Sequence, residues 1–521
     1  MSIYIKEYSN DKQLVINIIA SAVTFVVNLC ITFFLTPFIV NKLGSEAYGF
    51  IKLSADIISY TQLVTIALNS MAGRFITVSY TSGDVESANK YFSSVYYSNL
   101  ILCVLLLFSS LICVVWLDCF FNIPQSLMID VKLLFGILSI NNIINLLFGT
   151  WSVSTFIKNR LDLSNIRGIV GNLIKAFVLL FMFVCLKPHI WYMGFAGFLM
   201  SIYIAYTNVK LSALLTPDLR ICYKYVDLQK IKELLIIGSW NLINKLNNIL
   251  EYGLDLLLAN WFLGATYMGI FALTKNLPFL ILSLFQIIAS VFAPLLTQYY
   301  AQNQKEEMLS YCLKSIRILS FVSVIPITLL WVWGDNFYEL WLPDQDAILL
   351  QKITFLSTII FIFAMPLESL WHIFTITKRL KYPTITMFIS SFFTILILIL
   401  SMFVTDSNII RLYILASTRS IIGAIRSFIF LPIYGAYCLE LPKKIFYRPV
   451  FKSIAATFFS LLVTFVLKYF YNANTWVALG MIGLVTILIS ITINSIVLLN
   501  TDDRDYVKNK LTKLIKNNTN I

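Results

Sequence analysis

Charge is what this chain of 521 residues has least of: Asp, Glu, Lys and Arg together make up 12% of it, and histidine occurs twice. A soluble domain carries about 25% charged residues, so a water-soluble enzyme of this length is excluded. The chain also lacks the patterns that hold metals or drive chemistry. Its eight cysteines (Cys30, Cys103, Cys113, Cys119, Cys185, Cys222, Cys312, Cys438) form no CxxC or Cys/His pair, and most fall inside apolar runs, so neither disulfides nor a metal site are expected. No GxxxxGK[ST] phosphate loop occurs, which excludes an ATPase of its own. GxSxG, HExxH and DxD-like clusters are missing as well, and His189 and His372 sit near helix ends. No catalytic residue and no cofactor are expected.

What is abundant is apolar sequence, 59% of the chain, with a mean hydropathy of +0.82. One bilayer crossing takes about 20 apolar residues. Fourteen apolar segments can be marked off, at 13–38, 47–71, 92–117, 132–157, 168–187, 190–209, 233–259, 268–296, 311–333, 347–373, 383–404, 409–436, 453–471 and 475–499. The first run continues unbroken from Leu14 to Val40, longer than a cleavable signal, and reads as a retained transmembrane helix. The longest outer loop, Gly334 to Asp346, leaves no room for an extracytoplasmic domain.

The formal charge of +13 is explained by where the cations lie. With a cytoplasmic N-terminus, the tails and even-numbered loops, counted with the helix ends beside them, hold 27 Lys and Arg, against 5 (Lys42, Lys132, Lys187, Arg411 and Lys468) counted the same way on the other side. The positive-inside rule then places both termini in the cytoplasm, and nucleic acid is not a partner. In the last stretch, 501–521, Val507, Leu511, Leu514 and Ile515 share a helical face ringed by lysines; a helix lying on anionic lipid and a solvated basic tail are both open readings.

A gap-free shift of 220 residues aligns the beginning of the chain with its middle: LGSEAYG (Leu43 to Gly49) falls on LGATYMG (Leu263 to Gly269), and Ser21, Thr24 and Asn28 fall on Asn241, Asn244 and Asn248. Segments one to six and seven to twelve are therefore read as two copies in the same orientation. Such halves place a substrate site between them. The expected organisation is a six-helix lobe over 1–210, a cytoplasmic linker over 211–232, a second lobe over 233–437, and two further helices over 448–500. A basic tail over 501–521 completes it.

At 100° per residue, Asn17, Ser21, Thr24, Asn28 and Thr32 fall within an arc of about 80°. On a straight helix through segment seven, Asn241, Asn244, Asn248, Glu251 and Asp255 do the same, with Lys245 at the edge. Polar seams of this kind either join helices or line a water-filled path. Charges inside membrane segments are costly enough to need water or a partner. Those singled out as cavity residues are Lys52 and Asp56, Lys245, Lys275, Arg419 and Arg426. Lys52 and Asp56 are spaced to neutralise one another on one helix, whereas Lys275, three residues from where Lys52 aligns in the second copy, gives each half one lysine from its second helix, and the two could clamp an anion. Arg419 and Arg426 present forks suited to phosphate oxygens or to a buried carboxylate. Glu251 and Asp255, like charges four apart, are read as an ion-coupling pair or as partners of Lys245. Lys175 and Glu368, within about two turns of the expected cytoplasmic face, are explained by snorkelling and left outside the site.

The run LTPFIVNKLGSEAYGF (Leu35 to Phe50), the six-plus-six repeat with two extra helices, and the basic loop after segment six resemble the polysaccharide transporter branch of the MOP exporter superfamily, in particular Wzx-type O-antigen flippases. The resemblance implies an all-α polytopic membrane protein of about 14 transmembrane helices, with two pseudo-symmetric, MATE-like six-helix lobes around a cavity lined by segments one, two, seven and eight. It implies alternating access on an undecaprenyl-pyrophosphate-linked oligosaccharide, an O-antigen or capsule repeat unit, in the bacterial inner membrane. A polysaccharide polymerase and a chain-length regulator would be its partners. Lysine where arginine would hold the pyrophosphate, and the acidic pair Glu251 and Asp255, keep a cation-coupled multidrug antiporter open as the alternative. A membrane-embedded glycan polymerase or ligase would need a substantial outer loop with catalytic residues, which this chain lacks.

Overall fold

In a bilayer each backbone N–H and C=O must be satisfied within its own segment, so apolar runs of this length fold as helices. A computed structural model describes residues 10–499 and contains, among them, helices, short 3₁₀ and π turns, and no strand. Twelve helical stretches among the described residues are long and apolar enough to cross a membrane. Two of these, Ile19–Thr81 and Leu228–Ala301, span 63 and 74 residues and each accommodate two crossings, which agrees with the expected fourteen. The 501–521 tail lies outside the described residues.

The chain packs as two compact units, Met1–Ala272 and Leu273–Ile521. The first unit contains α1 (Asn10–Thr81), α2 (Val85–Val115), α3 (Met128–Gly149), α4 (Leu161–Cys185), α5 (Tyr192–Leu215), α6 (Leu228–Asn248) and, up to Ala272, α7 (Asp255–Thr274). Two kinks reproduce the sequence repeat in the backbone. Gly44 interrupts α1 at φ 86°, ψ 167°, and Gly264 interrupts α7 at φ 84°, ψ 179°. That region is open to glycine and strained for any other residue.

Between α5 and α6 the chain is held along the first turns of α2. Asn89 donates to the Asp218 carbonyl (3.1 Å) and accepts from the Arg220 amide (2.7 Å), Ser93 accepts from the Cys222 amide (3.1 Å), and Ser94 accepts from the Asp227 amide (2.9 Å). Because Asn89, Ser93 and Ser94 are themselves buried, the expected linker is a fitted strap whose backbone groups are satisfied.

The second unit comprises α8 (Asn276–Ser290), α9 (Lys305–Trp341), α10 (Ala347–Thr358), α11 (Leu370–Ile376), α12 (Lys381–Met402), α13 (Asn408–Cys438), α14 (Tyr447–Phe470) and α15 (Trp476–Val497), with short helical pieces between them. Phe285, Ile316, Leu370, Phe374 and Phe446 are fully buried in its core. Ser453, Ala456, Thr457, Ser460 and Thr464 give α14 a buried stripe of small residues, the device that brings membrane helices close. Polar contacts fix the register of α14 and α15 on α9. Trp333 donates to Thr486 (3.1 Å), Asn494 donates to the Phe321 carbonyl (2.8 Å), and Lys468 donates to Asp335 (2.6 Å).

Candidate functional site

The duplicated turns meet each other. Thr266 donates a hydrogen bond to Glu46, the residue 220 positions earlier. Gly49 stands against Gly269, also 220 apart, so closely that a Cβ on Gly49 would lie 2.8 Å from the Gly269 Cα, and one on Gly269 would overlap the Ser45 carbonyl. Nearby, Asn122 and the fully buried Asn260 exchange hydrogen bonds of 2.9 to 3.2 Å, and the Trp261 indole donates to the Phe120 carbonyl (2.8 Å). A cluster of this kind ties the end of the first unit that carries both kinks.

The polar stripe of α1 is largely a seam with α4. Asn165 donates to Ser21 (2.9 Å) and Asn172 donates to Asn28 (2.7 Å). At the start of the seam, Gln13 and Asn17 join Asn159, Arg160 and Asp162. Gln13 donates to Asp162 (2.9 Å), Asn17 donates to the Asn159 carbonyl (3.0 Å), and Arg160 donates to Asp162 (3.0 Å), with Gln13, Asn17 and Asp162 buried. The simpler of the two readings of this stripe, helix joining, accounts for Asn17, Ser21 and Asn28.

Segment seven does not run as one straight helix. It breaks at a π turn, Ile249–Gly253, between α6 and α7. One extra residue rotates α7 by about 100° relative to a continuous α-helix, and such turns recur at functional sites. The single arc expected for Asn241 through Asp255 is therefore divided. Asn241 donates to Ser70 (3.0 Å) and Gly238 lies on the Ala67 carbonyl, while Asn244 and Asn248 are exposed and Lys245 is half-buried. Beyond the turn, Glu251 and Asp255 are turned into the first unit at 5% and 6% exposure. Tyr60 donates to the Gly253 carbonyl and so fastens the turn to α1.

Of the cations, Lys52 is half-buried in the second crossing of α1, its ammonium 5.5 Å from the centre of the Tyr48 ring. Asp56 is half-buried one turn further on. Lys175 lies in the middle of α4, which starts at Leu161 and not at 168. Asp162, Asn165 and Arg167 concealed that start. Asp162 and Arg167 are buried, and Arg167 donates to Asn208.

In the second unit, half-buried Lys275 separates α7 from α8. Arg426 donates to Ser390 (2.9 Å) across α12 and α13, Arg419 is half-buried, and Arg411 donates to the Thr405 carbonyl (2.7 Å). A cavity of about 220 Å³ in the first unit is lined by Ile58, Thr61, Leu106, Ser139 and Asn142, and by none of the charged residues above.

Residues 43–345 match the family described as Polysaccharide biosynthesis protein. The chain is 27% identical over 464 residues to a protein of Bacillus subtilis (strain 168) named Uncharacterized membrane protein EpsK, covering 89% of this chain and 91% of that one. Among solved structures it resembles the lipid II flippase MurJ in an inward closed conformation (TM-score 0.65, 15% identity, 92% of this chain and 98% of that one). It also resembles a multidrug resistance MATE family transporter of the MOP superfamily in an inward-facing conformation (TM-score 0.64, 12% identity, 80% of this chain and 96% of that one). The all-α fold read from the sequence is thus the MurJ and MATE fold.

Proposed function

Since this chain belongs to the polysaccharide biosynthesis protein family, we propose that it is a flippase for a lipid-linked oligosaccharide, carrying an undecaprenyl-pyrophosphate-linked repeat unit from the cytoplasmic to the outer leaflet of the bacterial inner membrane. The observation that carries this reading is Lys52, a half-buried ammonium group in a membrane-spanning helix, beside a turn that pairs with its own repeat. An ammonium group is retained inside a membrane where water or an anion reaches it, and a pyrophosphate headgroup is such an anion.

The cargo has three parts, each with a counterpart in the chain. Lys52 and Lys245 in the first unit supply positive charge for the pyrophosphate; Lys275, Arg419 and Arg426 are the further cations that the sequence reading singles out. Asn244 and Asn248, exposed on α6, offer amides to sugar hydroxyls; Asn28 and Asn241 already bind neighbouring helices and serve chiefly to position them. The isoprenoid tail stays in the bilayer. Alternating access needs one end to open while the other shuts, and the Gly49–Gly269 contact with the Glu46–Thr266 hydrogen bond holds shut the end expected to face outward. No covalent step is required of the protein.

Glu251 and Asp255, buried at the π turn, are proposed to couple the cycle to a cation. They also favour the second reading, a cation-coupled multidrug antiporter, for which the MATE-like fold is equally suited. Deleting the gene and analysing surface polysaccharide and undecaprenyl-linked intermediates separates the two. The flippase reading predicts loss of the polymer with accumulation of lipid-linked units, restored by the wild-type gene and not by Lys52→Gln. Intact polysaccharide with new sensitivity to cationic toxins would favour the antiporter.

A further inference from the structure

The cavity of about 220 Å³ lies wholly within the first unit, between the second crossing of α1, α2 and α3. Its walls are apolar, formed by Ile57 and Ile58, Leu106 and Val114, and Phe135. Leu105, Phe108 and Leu111, neighbours of the lining residues on α2, are exposed. Large apolar side chains displayed over a membrane segment border hydrocarbon rather than water, so a ligand reaches this cavity through the bilayer. An apolar cavity of about 150 Å³ accommodates benzene, and on that scale this one takes a body of about eight to ten carbon atoms.

The polar part of the lining decides what that body carries. Asn142 donates to Thr61 (2.9 Å), and among the described residues this is its one hydrogen bond. Its carbonyl oxygen and second N–H remain available. The hydroxyl protons around it are engaged by their own helices: Thr61 donates to the Ile58 carbonyl (2.6 Å), Ser109 to the Leu106 carbonyl (3.1 Å) and Ser139 to the Phe135 carbonyl (2.8 Å). No lining residue is charged, so an ammonium or carboxylate group would enter without a counter-ion, at high cost in an apolar medium. A plain hydrocarbon would leave the amide unsatisfied. A hydroxyl group matches both free positions, donating to the Asn142 carbonyl and accepting from its N–H.

We propose that this cavity binds a neutral, membrane-soluble alcohol, with its hydroxyl on Asn142 and its chain among Ile57, Leu106 and Phe135. The site is independent of the transport reading. Because its walls belong to three helices, an occupant ties the crossing of α1 that carries Lys52 to α2 and α3.

The test uses the full-length protein in lipid nanodiscs, irradiated with the photoreactive alcohol 3-azioctanol and digested to map the adducts. Adducts within 57–61 and 106–114 should saturate with dose and be displaced by octanol, and about tenfold less well by octane at equal bilayer concentration. Asn142→Leu, which removes the amide at similar volume, should lower the apparent affinity by about tenfold. Ser110→Phe fills the cavity from α2, leaves the Asn142–Thr61 hydrogen bond in place, and should abolish those adducts. Displacement by farnesol as well extends the site to long lipid alcohols whose chains pass out into the bilayer; displacement by octanol alone confines it to short ones. Equal displacement by octane and octanol overturns the assignment of a hydroxyl ligand. Adducts spread over Leu105, Phe108 and Leu111 that octanol does not displace, or adducts unchanged in Ser110→Phe, overturn the site itself.

Discussion

Gly49→Ala tests whether the paired turns are a gate. A Cβ at Gly49 would sit 2.8 Å from the Gly269 Cα, whereas carbon atoms in contact prefer about 3.5–4.0 Å. The turns must therefore part by about 1 Å, since the Gly269 backbone cannot rotate aside as a side chain would. Overpacking of this size costs about 1–3 kcal/mol, and if only the shut state bears it, the shut-to-open ratio falls by about 5- to 150-fold. Ala47, two residues away and 0% exposed, reports the opening. With the eight native cysteines replaced, Ala47→Cys should react with a membrane-impermeant maleimide slowly alone and faster by that factor beside Gly49→Ala. An unchanged labelling rate in a variant that folds normally would show that the turns do not separate, and the gate would be wrong.

Other consequences can be measured separately. Gly238→Ala puts a methyl onto the Ala67 carbonyl with no room for it, so the Tm should fall by several degrees and α6 should lose protection from hydrogen exchange near α1; an unaltered Tm would mean that the two helices do not pack this closely. Lys52→Ala and Lys275→Ala should each lower surface glycan at least tenfold with membrane insertion unchanged, and wild-type display in both would remove them from the site. Glu251→Gln combined with Asp255→Asn should leave transport indifferent to pH and to sodium, and retention of the wild-type dependence would show that coupling lies elsewhere.

Hydropathy and the shifted repeat contained most of the architecture, because crossing a bilayer demands long apolar runs and the repeated spacing of Gly44 and Gly264 marks one backbone kink used twice. The interior was harder to read. The start of α4 was hidden by Asp162, Asn165 and Arg167, polar residues that belong to the helix because α1 and α5 supply their partners; composition alone cannot distinguish them from a loop. The π turn at Ile249–Gly253 leaves no apolar signature, so a wheel drawn for a straight helix placed Glu251 and Asp255 on the same face as Asn244. The stripe on α1 was visible, but whether it faces water or another helix depends on Asn165 and Asn172, more than 130 residues away in the chain.

The central claim is tested most directly by purified protein in sealed vesicles carrying an undecaprenyl-pyrophosphate-linked oligosaccharide, with a glycan-cleaving enzyme added outside. Cleavage in protein-free vesicles should stop once the outer leaflet is consumed. With wild-type protein the inner-leaflet pool should become accessible and cleavage should run to completion, while Lys52→Gln should behave as empty vesicles do. Cleavage that stops at the outer leaflet despite folded wild-type protein would contradict the account.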